Sequence, residues 1–134
     1  MLFNFSRSSA IPQTLGVKEF EKQLIATKCE QIIDIRTPQE FERSHIPGAK
    51  NINVNSSDFR NAIEKLDKTK PVLIYCQSGG RCKSALAALR EAGFKNSHEL
   101  SGGINAWTSA GKKIWEINGK ASEEELLEIL NFKK

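Results

Sequence analysis

Residues 72–81 read VLIYCQSGGR, and this stretch decides the fold of the chain. Its first four residues are apolar, a pattern that is typical of a strand buried on both faces. A short loop of small residues follows, and residues 82–92 are rich in Ala, Leu and Arg, as in a helix that stops at Gly93. A strand, a glycine loop and a helix in this order predict one repeat of an open α/β sheet.

The flanking sequence continues this alternation of helices and strands. Short apolar runs predict buried strands, and apolar residues at helical spacing predict the helices between them. We therefore expect one small α/β domain with a central parallel sheet and right-handed crossovers. The predicted strands are residues 31–35, 51–54, 72–75 and 97–100. The predicted helices begin near Val17, Pro38, Phe59, Cys82 and Ile104, and Ser56, Ser57 or Asp58 can cap the third of them.

The composition excludes several classes of protein. With 134 residues, 39% of them hydrophobic, the chain can bury an apolar core without cross-links. Its 20 basic and 16 acidic residues give a net charge of +4 without a basic tract, so no nucleic-acid partner is expected. No stretch approaches the roughly 18 apolar residues of a spanning helix, which favours a cytoplasmic protein with no membrane partner.

Three cysteines without a secretion signal indicate reduced thiols rather than a disulfide framework. Cys29 precedes a strand, has neither cations nor a glycine loop beside it, and is expected to be inert. The spacing of the cysteines and the two histidines does not fit a metal site. No glycine pattern of a nucleotide or dinucleotide site is present, so we expect neither a metal nor a cofactor.

Cys76 lies where open α/β sheets place their ligand sites, at the carboxyl end of a strand. The glycine loop lets successive backbone N–H groups point inward and bind an anion. The thiolate form of Cys76 is favoured by those N–H groups, by the helix N-terminus and by the cations Arg81 and Lys83. No acidic residue lies between Cys76 and Arg90 to oppose them. A thiolate in an anion-binding cup suits attack on sulfur or phosphorus that carries anionic oxygens.

Four ordered motifs, spread over about residues 16–115, together resemble a known family. They are DIRTPQEF at 34–41, HIPGAKNI at 45–52, YCQSGGR at 75–81 and LSGGINAW at 100–107. The chain is similar to a single-domain rhodanese-like sulfurtransferase. The resemblance implies a rhodanese-like three-layer α/β/α fold around a central parallel sheet.

The resemblance also implies a mechanism. Cys76 would take a sulfane sulfur from a small anionic donor such as thiosulfate, hold it as a persulfide, and pass it to a thiol, cyanide or protein-cysteine acceptor. Asp34 and Arg36 match a motif that lies near the loop in this family, and we expect them to support the loop. The residues implied to bind the donor and the persulfide are Gln77, Ser78, Gly79, Gly80 and Arg81, with Arg81 closing the loop.

Two other functions stay open. The domain could be a non-catalytic rhodanese-like module that regulates or recruits a partner, although retention of Cys76, the glycines and Arg81 argues against this. It could also be a cysteine phosphatase or arsenate reductase on the same fold. Those enzymes place five residues between Cys and Arg, whereas Cys76 and Arg81 enclose four, and the smaller ring favours sulfur transfer.

Cys82 stands six residues after Cys76, where the family more often has Ser or Thr. One interpretation is a resolving or relay thiol that attacks the Cys76 persulfide or protects it as a disulfide. The other, which we favour, is a small buried residue that fills the place of a serine.

The chain divides into three segments by pattern. Residues 1–12 predict a flexible N-terminal arm, residues 13–115 the rhodanese-like domain, and residues 116–134 an extension with a short amphipathic helix. In that helix Ser122 and Glu125 form a capping box. Its apolar stripe of Leu126, Leu127 and Leu130 is expected to pack back on the domain rather than to bind a partner, which favours a monomer or a weak homodimer.

Overall fold

The computed structural model describes residues 13–28 and 30–129. The predicted arm at 1–12, Cys29 and Leu130 lie outside the described residues. None of the helices in the described part of the chain is long and apolar enough to span a bilayer.

Within the described residues, the central sheet has five strands in the order β1-β6-β5-β2-β4, and every neighbouring pair is parallel. This confirms the predicted parallel sheet. Two further strands, β3 and β7, form a separate antiparallel pair. The strands are β1 (Thr14–Leu15), β2 (Ile32–Asp34), β3 (Ser44–His45), β4 (Lys50–Asn51), β5 (Val72–Tyr75), β6 (Ser97–Leu100) and β7 (Trp115–Glu116).

Helices cover both faces of the sheet and give the expected three layers. Strand residues alternate between the faces, so that Ile33 and Ile74 pack on one side while Ile32 and Leu73 pack on the other. Both sides are apolar, which is why the strands read as continuous hydrophobic runs. The helices are α1 (Val17–Thr27), α2 (Pro38–Arg43), α3 (Phe59–Ile63), α4 (Cys82–Glu91), α5 (Gly103–Ser109) and α6 (Glu123–Ile129), of which α3 and α4 cover the first side and α1 and α5 the second.

The predicted strand at 51–54 is wrong beyond Asn51. The apolar positions of the pattern do face the core, since Ile52 and Val54 pack against it. However, the Asn53 side chain accepts a hydrogen bond from the Asn55 N–H at 2.9 Å, and this local turn ends the strand.

The helix predicted after residues 56–58 is shorter than its apolar pattern, which extends to Leu66, suggested. It ends at Ile63, and the side chain at its N-cap, Asp58, makes no capping hydrogen bond. The backbone of Asp58 has ψ near 4°, whereas a capping side chain needs extended backbone at that position to reach the next N–H groups. The Asp58 carboxylate instead accepts from the Asn61 amide at 3.3 Å.

The described part of α6 packs back on the sheet, as expected. Its capping box is formed, because the Glu125 N–H donates to Ser122 Oγ at 3.1 Å and the Ser122 N–H donates to Glu125 Oε1 at 2.9 Å. Leu126 is buried, and Leu127 contacts the same apolar cluster as α1 and α5.

A polar contact adds to this packing at the β3–β7 pair. His45 is stacked between the Phe41 ring, at 3.9 Å, and the Trp115 ring, at 4.9 Å. Its Nε2 lies 3.2 Å from Glu123 Oε2, and the same oxygen accepts the Gly48 N–H at 2.6 Å. The C-terminal segment is therefore joined to the turn after β3.

Candidate active site

Cys76 follows β5 directly and is 1% exposed. The backbone carbonyls at the start of the loop are taken up by α5: the Ile104 N–H donates to the Cys76 carbonyl at 2.9 Å, and the Asn105 N–H donates to the Gln77 carbonyl at 3.1 Å. The Gly79 N–H donates to Cys76 Sγ at 3.0 Å. The loop therefore has its first carbonyls fixed on the α5 side and N–H groups directed at the sulfur.

Gly103 makes this contact between loop and helix possible. It has φ +63°, and a methyl group at its position would overlap the carbonyl oxygens of Cys76 and Gln77. Sequence reasoning identified the Gly102-Gly103 pair only as a tight turn. Two adjacent glycines before a helix are also a signal of close backbone approach, which is the role that the structure shows.

The surroundings of Cys76 lower the pKa of its thiol from 9.0 to about 6. The largest cause is a hydrogen bond from the Cys82 thiol, and hydrogen bonds from the backbone N–H groups of Arg81, Gly79 and Ser78 add to it. Burial acts in the opposite direction. At neutral pH the sulfur is therefore mostly a thiolate, which is the nucleophilic form.

Arg81 does not extend freely over the cup. Its two terminal nitrogens donate to the two carboxylate oxygens of Glu40, at 3.1 and 3.2 Å. The Arg81 hydrogen bond is the main reason that the pKa of Glu40 falls to about 2. The sequence between Cys76 and Arg90 contains no acidic residue to oppose the local cations. In the folded chain, however, α2 brings Glu40 against Arg81.

Glu40 has a second function in α2. The Thr37 N–H donates to Glu40 Oε1 at 2.9 Å, and the Glu40 N–H donates to Thr37 Oγ1 at 3.2 Å, which completes a capping box. Sequence reasoning quoted Glu40 within the first motif without giving it a role. A position that caps one element and also binds the loop cation fixes α2 against the loop.

Asp34 and Arg36 form a buried pair behind the loop. Arg36 Nε and Nη2 donate to the Asp34 carboxylate, the shortest contact being 2.7 Å. Arg36 Nη1 donates to Gln77 Oε1 at 2.9 Å, and Gln77 Nε2 donates to Asn105 Oδ1 at 2.7 Å. This chain of contacts connects the end of β2 to the loop and to α5, which agrees with a supporting role for both charged residues.

A polar cavity of about 390 Å³ lies beside the loop. Ser78 and Gly80 are exposed, and Gln77 forms part of the cavity wall, so a ligand can approach the loop from this side. The cavity is lined by Arg36, Gln39, Glu40, Arg43, Ser44 and Gln77. In the described ranges no three His, Cys, Asp or Glu side chains group as metal ligands would.

Comparison with known proteins agrees with the fold. Residues 17–110 match the rhodanese-like domain family, and the chain belongs to that family. A solution structure of the rhodanese-like domain from the Anabaena protein Alr3790 superposes with a TM-score of 0.70 at 23% identity, covering 84% of this chain and 89% of that one. At that identity the structure supports the fold alone.

Two curated relatives carry sulfurtransferase names. Thiosulfate sulfurtransferase GlpE of Shewanella oneidensis is 34% identical over 88 residues, which cover 66% of this chain and 85% of GlpE. Probable adenylyltransferase/sulfurtransferase MoeZ of Mycobacterium tuberculosis is 34% identical over 94 residues, or 70% of this chain. The chain spans only 24% of the length of MoeZ. These relatives support sulfurtransferase activity at the level of the family.

Proposed function

We propose that the protein is a sulfurtransferase that carries a sulfane sulfur on Cys76 as a persulfide. The observation that carries this proposal is the buried Cys76 sulfur, which accepts backbone N–H groups and has a pKa lowered to about 6. A nucleophile that is ionised at neutral pH and held in an anion-binding loop suits a small anionic donor.

In the first step the Cys76 thiolate attacks the outer sulfur of thiosulfate. A new S–S bond forms, the S–S bond of thiosulfate breaks, and sulfite leaves with the electron pair. The loop, with Gln77 at its start and Arg81 at its end, would hold the anionic donor and then the terminal sulfur of the persulfide. Backbone N–H groups suit this task because they stabilise negative charge without having to reorganise.

In the second step a thiolate or cyanide acceptor attacks the terminal sulfur of the persulfide. The bond from Cys76 to that sulfur breaks, and the electron pair returns to Cys76 as its thiolate. Neither step, as proposed, requires a metal or a cofactor. The Arg81–Glu40 pair and the Arg36–Gln77 contact would keep the loop in one shape through both steps.

Intact-protein mass spectrometry after incubation with thiosulfate tests the proposal. We expect the wild-type protein to gain one sulfur atom and Cys76→Ser to gain none, while Cys82→Ser, the matched change of a buried cysteine, still gains it. A mass gain that survives Cys76→Ser would falsify the proposal. So would a wild-type protein that gains no sulfur from any sulfane donor. Cys76-dependent hydrolysis of an aryl phosphate would instead support the phosphatase alternative.

A further inference from the structure

The polar cavity beside the loop begins next to the nucleophile. Gln77, which follows Cys76 in the chain, forms part of its wall. The Gln77 side chain is held in place, because its Oε1 accepts from Arg36 at 2.9 Å and its Nε2 donates to Asn105 at 2.7 Å. The volume of about 390 Å³ lies within the usual range of small-molecule sites, roughly 300–1,000 Å³. The cavity can therefore hold a molecule larger than thiosulfate beside the loop.

The charged groups on the loop side of the cavity already have partners of opposite charge. Arg36 donates to the Asp34 carboxylate, with a shortest contact of 2.7 Å, and to Gln77. Glu40 accepts from both terminal nitrogens of Arg81, at 3.1 and 3.2 Å. These contacts balance the charge of Arg36 and the charge of Glu40. Neither residue is therefore the main attraction for a charged ligand.

The outer wall of the cavity presents donors that are still available. Gln39 and Arg43 lie one turn apart on α2, so their side chains share a face of the helix, and both line the cavity. Both residues are exposed. Within residues 13–28 and 30–129, neither side chain forms a hydrogen bond or an ion pair. Arg43 therefore gives the cavity a positive charge without a protein partner, and Gln39 adds a neutral donor.

Arg43 also borders a second hollow, of about 270 Å³, on the side of β7. That hollow is lined by Glu116, whose carboxylate forms no ion pair within the described part of the chain. An anion would be repelled there, whereas the carboxylate in the first cavity, Glu40, is already bound by Arg81. The planar guanidinium of arginine matches a carboxylate group, to which it can donate two parallel hydrogen bonds. The cavity beside the loop is therefore the better place for a carboxylate bound to Arg43.

We propose that this cavity is the acceptor site, and that Arg43 binds the carboxylate of a small thiol which takes the sulfur from Cys76. The proposal rests on the proposed sulfurtransferase function and names the class of its acceptor. The acceptor thiolate attacks the terminal sulfur of the persulfide, the bond from that sulfur to Cys76 breaks, and the electron pair stays on Cys76. The acceptor leaves as its own persulfide. A protein acceptor would need a contact surface well beyond a cavity of this size.

The first experiment tests carboxylate binding without any sulfur transfer. Cys76 is alkylated with the N-iodoacetyl derivatives of glycine, β-alanine and γ-aminobutyrate, each compared with its methyl ester, and the modification is read from peptide masses. Acid and ester carry the same reactive group, so the ratio of their rates reports the effect of the carboxylate. We expect the acid to react faster, most clearly at the tail length that reaches Arg43. The ratio should fall about three- to fivefold in Arg43→Gln, as for one partly exposed charge pair.

Two control variants separate recognition by Arg43 from a general effect of charge. Arg60→Gln makes the same change in net charge at an exposed arginine of α3, which is paired with Glu91 at 2.9 Å and does not line the cavity. It should keep the wild-type ratio. Arg43→Lys, which keeps a point charge but loses the planar fork, should retain part of the preference. The preference should also shrink at high salt, because the site is exposed.

Three outcomes of the first experiment overturn the proposal. Equal rates for acid and ester at every tail length would leave the carboxylate without a binding site. An unchanged ratio in Arg43→Gln would assign the carboxylate to the loop and Arg81 rather than to the cavity. An equal fall of the ratio in Arg60→Gln would reduce the effect to net charge.

The second experiment tests the acceptor itself. The protein is loaded with thiosulfate, the excess is removed, and the added sulfur is followed by mass as mercaptoacetate, mercaptopropionate, mercaptobutyrate or their methyl esters are added at equal thiolate concentration. We expect the acids to discharge Cys76 faster, through a lower KM, and Arg43→Gln to lose this difference. Equal discharge by acids and esters would overturn the assignment to the acceptor. A protein that gains no sulfur would refute the proposed function, while the alkylation ratios still decide whether the cavity binds a carboxylate.

Discussion

Replacing Gly103 with alanine should disrupt the loop without removing any side chain that takes part in the proposed chemistry. The added Cβ would lie 2.6 Å from the carbonyl carbon of Gln77, where real Cβ contacts stay above 3.0 Å. The atoms that it meets belong to the backbone and cannot rotate away. The φ of +63° costs an alanine about 1–2 kcal/mol, and overpacking adds about 1–3 kcal/mol, so a loss of about 2–5 kcal/mol is expected.

Gly111→Ala is the matched control, because Gly111 has φ +79° and nothing within 4 Å of the added Cβ. Urea unfolding should show a loss of about 1–2 kcal/mol for this variant, from the backbone conformation alone. Relief of the overlap at Gly103 must shift the Cys76–Gln77 peptide. Cys76 alkylation at pH 6 should therefore also slow by about fivefold, because one lost hydrogen bond to the thiolate raises the pKa of Cys76 by about one unit. Equal stability of the two variants, with unchanged alkylation in both, would refute this reasoning.

Three further predictions concern ionisation and packing. Alkylation of wild-type Cys76 should be half-maximal near pH 6, because the pKa of the thiol is lowered to about 6; a midpoint above pH 8 would contradict the described hydrogen bonds. Glu40→Gln should lower the free energy of unfolding by less than about 1 kcal/mol at pH 7, because the ion pair of Glu40 with Arg81 is partly exposed. The pKa of Glu40 is lowered from 4.5 to about 2, so the difference in unfolding free energy between the wild type and Glu40→Gln, measured in urea, should shrink as the pH falls through that interval. A difference that stays constant with pH would contradict this prediction. Leu126→Ala should lower the free energy of unfolding by about 2–3 kcal/mol. Ile129→Ala, at a side chain that is 63% exposed, should change it by less than about 0.5 kcal/mol. Equal losses in the two variants would mean that α6 does not pack as described.

Much of the sheet could be predicted because its signals are local. Residues 72–75 and 97–100 form strands as predicted, and α4 begins and ends within one residue of the predicted bounds. Strands that are buried on both faces leave an apolar run in the sequence, and a glycine marks the end of the helix. The strands β1, β3 and β7 have two residues each, which is too short for any periodicity, and their existence depends on a distant partner such as the His45–Trp115 pair.

The site also contains features that the sequence predicts and features that it does not. The cysteine, the glycines and the N–H groups of its loop are neighbours in sequence, so their chemistry could be predicted from the loop itself. The contact between Arg81 and Glu40 spans 41 residues, and the contact between Gln77 and Asn105 spans 28. Sequence spacing carries no signal for such pairs.

The contact of Glu123 with the turn after β3 has a practical consequence for anyone who wishes to move this domain into another protein. The segment that matches the family ends at residue 110, yet Trp115, Glu123 and Leu126 lie beyond it. A domain truncated at that residue would lose the Trp115 ring that stacks on His45 and the Glu123 carboxylate that accepts the Gly48 N–H. It would also expose to water the apolar cluster on which Leu127 packs. The portable unit of this chain is therefore longer than its family segment, and a fusion should keep the helix through residue 129.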